Sequence, residues 1–262
     1  VDENRHNGPA ASLRRLRIIA GQTLGEALRM RLVVLLAVVA ALLVLGALGL
    51  RDFNFGTAEL KFIGDLGLGA IGLLGTLLAA LAMAQLFFSD LADGAAACVL
   101  TRPVRRWEYI AGKFGGVAAL LALYTAVLGT LLAGLLLWRG GQLGVTPVAL
   151  PVLLSACALQ WMKFCLVAAM TLLVCSYAGT ALFASCAGLL LAVIGHLRPF
   201  AGGGALAWLR VWPNLALFDA EALLASGQPL AGSLLLGLAS YWAACLLLFG
   251  ALASHVFKQR EF

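Results

Sequence analysis

Long apolar runs alternate with short polar connections along this chain. An α-helix rises 1.5 Å per residue, so about 20 mainly apolar residues cross the roughly 30 Å of a bilayer's hydrocarbon. That criterion predicts six spans, at about residues 32–50, 63–88, 114–138, 148–176, 180–197 and 232–257. The first carries no charge; the second is broken only by Asp65 and Gln85 near its ends; the fourth contains Lys163. The expectation is an all-α integral membrane domain over residues 32–262. The first run is too long, and the segment before it too extended, for a cleavable signal peptide.

Ahead of the first span the periodicity changes. Over residues 11–31, Leu13, Leu16, Ala20, Leu24, Ala27 and Leu28 fall on one helical face. Arg15, Gln22, Glu26 and Arg29 lie opposite, with Arg14 and Arg17 at the boundary. A basic amphipathic helix of this kind lies in the inner membrane interface, its cations among anionic headgroups. The alternative is a soluble helix packed on another domain. Residues 1–10 read as a disordered tail. Among the connections, 199–231 is the long one, and its aromatic centre is interrupted by Pro213. Too short to span, it reads as an interfacial or re-entrant segment, with Trp208, Trp212 and Phe218 as interface anchors.

Composition strengthens the membrane reading. Of 262 residues, 63% are apolar and 11% charged, against about 45–50% and 25% in an ordinary soluble domain. More than half of a globular surface is already apolar, so a soluble fold cannot hide the excess. A soluble enzyme, a disulfide-stapled secreted module and a disordered chain are all excluded. The net charge of +6 would hint at nucleic acid in a soluble protein, but here the positive-inside rule accounts for it. With both termini cytoplasmic, the inner side holds Arg5, Arg14, Arg15, Arg17, Arg29, Arg31, Arg102, Arg105, Arg106, Lys113, Lys258 and Arg260. The outer side holds only Arg51, Lys61, Arg139, Arg198 and Arg210. An even number of spans agrees with that placement. The cysteines (98, 157, 165, 175, 186 and 245) form no C-x-x-C pair and read as small hydrophobes, not as a disulfide framework or zinc site.

No catalytic, cofactor-binding or metal constellation is predicted. His6, His196 and His255 are far apart and on different sides of the expected topology. The Gly-Lys of Ala111–Phe114 is no P-loop, because Trp107 stands where a glycine is needed and Phe114 replaces Ser/Thr. Lys163, with Gln160 one turn before it, is the charge set deepest in a span. A stranded ammonium is costly, so it reads as a substrate or partner contact in a cavity, or else it snorkels toward a break. Asp65 is the sole membrane carboxylate, which weakens an ion-coupled transporter. Small residues crowd the second span from Gly64 to Ala82, and Gly112/Gly116 and Gly129/Ala133 recur around the third. They suit close helix packing, or a translocation surface or subunit seam.

The connection Phe87–Gly116 carries the most specific pattern: FFSDLADGAAACVLTRPVRRWEYIAGKFGG. It resembles the ABC-2 type permeases, in which an acidic turn and a glycine precede a short helix, and an Arg-Pro…Arg…Tyr…Gly-Lys run enters the third span. The matching residues are Asp90, Asp93, Gly94, Thr101, Arg102, Pro103, Arg106, Tyr109, Gly112 and Lys113. Asp93 stands where the family usually has glutamate. Pro213–Asn214 before the last span and the C-terminal Phe257, Lys258 and Arg260 also agree. Within the family, the branch it looks most like includes the nitrous-oxide-reductase maturation permeases.

The resemblance implies six transmembrane helices preceded by an interfacial elbow helix, with a cytoplasmic coupling helix within 88–106. It implies a permease, an exporter, of the bacterial cytoplasmic (inner) membrane. Such a chain pairs with a second permease subunit, identical or homologous, and with two copies of an ABC ATPase that bind ATP and Mg. The permease is then no enzyme itself and carries no cofactor. Asp90, Asp93, Gly94, Arg102, Pro103, Arg105 and Arg106 would contact the ATPase, though the arginines also suit topology setting and lipid contact. The alternative is a non-transporting assembly or maturation factor that transmits ATPase work to a periplasmic partner.

Overall fold

The computed structural model describes residues 9–52, 59–92, 106–144, 149–200, 212–220 and 232–258. All regular structure among them is helical: α1 (Pro9–Arg29), α2 (Arg31–Gly46), α3 (Glu59–Ala92), α4 (Arg106–Leu143), α5 (Leu150–Tyr177), α6 (Ala181–Leu197) and α7 (Gly232–Lys258). Short 3-10 turns occupy Ala47–Asp52, Arg198–Phe200 and Leu215–Phe218. Five helices are long and apolar enough to cross a membrane: α2 with its extension to Gly49, α3, α4, α5 and α7. The remaining apolar stretch forms α6, which at 17 residues is about 25 Å long and at the short edge of spanning length. Residues 1–8 and 93–105, and so most of the expected tail and coupling segment, lie outside the described residues.

Both α3 and α4 overrun their apolar runs, because charges that end a hydropathy count do not end a helix. At one end of the pair Arg139 Nε donates to Glu59 Oε1 at 2.7 Å; at the other, Lys113 meets Asp90. Burial sets the layout. In the apolar windows of α5 and α3, 72% and 61% of residues are buried, against 22% in α2 and 6% in α7. Thus α3 and α5 form the centre. The outer helices turn leucines such as Leu42, Leu236 and Leu247 outward, as helices solvated by lipid do.

In lipid no hydrophobic force draws helices together, so close approach and interhelical hydrogen bonds must hold the bundle. Gly75 lies under the Phe164 ring and Gly72 under the Gln160 amide, bringing α3 onto α5. Trp161 Nε1 donates to the Ala118 carbonyl on α4 and Trp242 Nε1 to the Met162 carbonyl on α5, each at 3.0 Å. Indole N–H groups thus find acceptors across the helix seams.

The α1 helix packs chiefly on α4. A Cβ at Gly116 would stand 2.8 Å from the Ala20 carbonyl oxygen, and one at Gly112 would strike the Ile19 side chain. Only glycine permits that approach. The packing face therefore includes Thr23 and Ala27, both buried, while Leu13 and Leu28 of the predicted apolar stripe are exposed. The glycine surface accepts Ile19, Ala20 and Thr23 of α1 and leaves these two leucines outside.

Candidate functional site

Two charged clusters stand out, and each holds residues the sequence singles out. The first sits where α3 ends and α4 begins. Lys113 Nζ lies 2.7 Å from Asp90 Oδ2 and 3.5 Å from Glu26 Oε2 of α1. Tyr109, one turn before Lys113, donates its hydroxyl to the same Asp90 oxygen at 2.8 Å. The spacing of Tyr109 and Lys113 sets both on one helical face, so one carboxylate meets both. Beside them Ser12 donates to Glu108 at 2.5 Å, and Arg15 lies 3.4 Å from its other oxygen. Phe257 of α7 closes the cluster, stacking on Tyr109 at 6.0 Å and meeting Phe87 edge-on at 5.9 Å.

Asp90, Tyr109, Gly112 and Lys113 of the quoted run therefore converge on one point, with Gly112 receiving Ile19 of α1. Asp93, Gly94, Thr101, Arg102, Pro103 and Arg105 lie outside the described residues, and Arg106 opens α4. Glu26 and Glu108 are partners that sequence reasoning does not reach. Their signal is only a carboxylate among arginines on an amphipathic helix and at a helix start, and such residues are commonly exposed.

The second cluster surrounds Lys163. This lysine, only 5% exposed, places Nζ 3.1 Å from Asp219 Oδ1. His196 Nε2 faces the same oxygen at 3.4 Å, and its Nδ1 lies 3.3 Å from the Ala192 carbonyl. Both ring nitrogens face acceptors, and a neutral imidazole donates from only one of them. Burial pushes the Asp219 carboxyl up, but the hydrogen bonds and charges of His196 and Lys163 outweigh it and hold the group below its ordinary range.

Asp219 is delivered by a short, well-tied segment. Asn214 accepts from the Ala216 N–H at 3.2 Å, starting the 3-10 turn, and its own N–H donates to the Tyr241 hydroxyl at 2.9 Å. Trp212 Nε1 donates to the Leu191 carbonyl at 3.2 Å. Phe218 is fully buried and stacks on Tyr241. Of the three aromatics expected as interface anchors, Phe218 is buried, Trp212 is partly covered, and Trp208 lies outside the described residues. Trp212 packs against Phe249 and Phe218 against Tyr241, so both rings join this segment to α7.

Gln160, by contrast, does not enter the cluster. It is 1% exposed, reaches the Leu68 carbonyl at 3.5 Å, and leaves Oε1 without a partner. Lys163, His196 and Asp219 instead border a groove of about 780 Å³ between α3 and α6, walled by Gly69, Gly72, Thr76, Ala192 and neighbouring aliphatics. Among the described residues no group of His, Cys, Asp and Glu could hold a metal ion. Comparison with models of known protein families finds no match, and none is found among curated proteins.

Proposed function

We propose that this chain is the transmembrane permease subunit of an ATP-driven ABC-2 type transporter, an exporter served by ATPase subunits on separate chains. The observation that carries the reading is the convergence of Asp90, Tyr109 and Lys113 at the root of the arginine-bearing connection. Residues 93–105 leave from α3 and return into α4. A short segment bearing Arg102 and Arg105 suits docking on a soluble motor by charge and shape. With its two roots tied by an ion pair whose lysine is buried, a displacement of that segment loads two long helices together. The basic residues of α1 and of this connection favour their placement at the cytoplasmic face of an inner membrane. Two copies of the permease, or this chain and a homologue, would complete the transporter.

Co-expression with the cognate ATPase tests the reading. A stable complex is expected, and charge reversal at Arg102, Arg105 and Arg106 is expected to leave the permease folded while uncoupling ATP turnover. Unchanged assembly and unchanged turnover in the triple reversal would refute the coupling assignment. An intact complex whose ATP turnover moves nothing across the membrane would favour the maturation role.

A further inference from the structure

The lipid-facing surface is broken between α2 and α4 by a cleft of about 600 Å³. It begins at Leu28, near the end of α1, and follows Val33–Ala41 of α2 and Leu120–Leu131 of α4. That stretch of α4 is about 16 Å long. Leu78 of α3 and Leu120 are buried at its floor, whereas Val34, Val38 and Val127 are exposed along it, so the cleft opens sideways. Its one phenol is engaged elsewhere, since Tyr124 donates its hydroxyl to the Ile71 carbonyl of α3 at 3.3 Å. No charged side chain lines the cleft. What fits such walls is an apolar chain.

The Leu28 end of the cleft is the corner where α1 meets α2. Met30 is extended there and stands between Arg29 and Arg31, both exposed. The acids described on this side are already met by cations: Glu26 and Asp90 share Lys113, and Glu108 faces Arg15. Sharing one lysine leaves a single negative charge over, against the two guanidinium groups of the corner. Among the described residues, neither Arg29 nor Arg31 forms an ion pair or a hydrogen bond. A cleft that suits an apolar chain thus ends beside two cations that lack an anion.

We propose that this cleft binds one acyl chain of an anionic phospholipid whose phosphate lies at Arg29 and Arg31. The planar fork of arginine matches a phosphate group. An anionic head is preferred to a zwitterionic one because it brings no ammonium for the arginines to repel. A bilayer lipid enters through the open side without its chain crossing water. Leu28, exposed although it belongs to the apolar stripe of α1, then has a partner at the step from head to chain. The site does not rest on the function proposed above.

The test uses the full chain in phosphatidylcholine nanodiscs without ATPase. The nanodiscs are doped with phosphatidylglycerol or phosphatidylcholine carrying a diazirine on one acyl chain. Irradiation is expected to label peptides containing Val33–Ala41 and Leu120–Leu131 about tenfold more with phosphatidylglycerol, as two arginines near a membrane surface imply. Leu234, Leu236, Leu247 and Leu248 on the exposed face of α7 are the control, and both lipids should label it equally. Replacing Arg29 and Arg31 together by Gln should lower cleft labelling by phosphatidylglycerol to the level of phosphatidylcholine, whose own labelling stays unchanged. Equal labelling of the wild-type cleft by the two lipids would overturn the proposal without any variant having to fold. The same tenfold preference on α7 would overturn it as well, since it would mean a general enrichment around a basic protein. A cleft that neither lipid labels, in a chain that runs as a dimer, would also overturn it and make a second copy the occupant.

Discussion

The two charged clusters use the same chemistry and differ in what surrounds them. At Asp90–Lys113 the side chains are 13% and 2% exposed, and α1, α3, α4 and α7 close around them. At Lys163–Asp219 the lysine is nearly as covered, at 7%, but the carboxylate is 37% exposed and borders a groove. A sealed ion pair stabilises only if it is complete, because removing one partner strands a buried charge. The contrast separates a pair enclosed among four helices from one that borders a groove.

The largest expected effect is at the sealed joint. Lys113→Ala leaves the Asp90 carboxylate uncompensated beside Tyr109 and should destabilise the chain by about 3–5 kcal/mol, read as earlier unfolding by dodecyl sulfate in mixed micelles. Next comes the α1 seam. Gly116→Val forces α1 off the Ala20 carbonyl and should lose about 1–3 kcal/mol by overpacking, visible in the same titration and as increased proteolysis within α1. At the open pair, the double replacement of Lys163 by Gln and Asp219 by Asn removes both charges together. Its stability change should stay within about 1 kcal/mol, since Asp219 is partly exposed and its interaction screened. A double variant that unfolds as early as Lys113→Ala would erase the contrast. Smallest of all, Leu236→Ala on the exposed face of α7 should shift the midpoint by no more than about 0.5 kcal/mol.

Hydropathy made the helices legible, since a run such as Leu32–Leu50 has no other solution in this composition. Their true ends were less so: Glu59, Asp90 and Arg139 stop an apolar count, yet each lies inside a helix because a partner receives it. The first cluster was half legible, as Asp90, Tyr109 and Lys113 belong to one pattern around one connection. The second was legible only through Lys163. Asp219 is 56 residues away, and no local periodicity relates a turn after Pro213 to the middle of α5. The small-residue crowding of α3 proved ambiguous for a physical reason. Gly72 and Gly75 receive Gln160 and Phe164 of α5, as close packing asks, and Gly69 and Gly72 also line the groove.

Phe257 carries a consequence for how the chain is assembled. The helix that bears it is barely covered along its apolar length, yet its last aromatic ring is fully enclosed between Phe87 and Tyr109. During synthesis α3 and α4 enter the bilayer well before residue 257 leaves the ribosome. Until then the Tyr109 face lacks its lid, and the joint between these helices is incomplete. Nascent chains stalled before α7 should accordingly be open to thiol reagents at a cysteine placed at Phe87, and protected once α7 docks. The last helix thus acts as a late fastener for a contact that the early helices cannot finish alone.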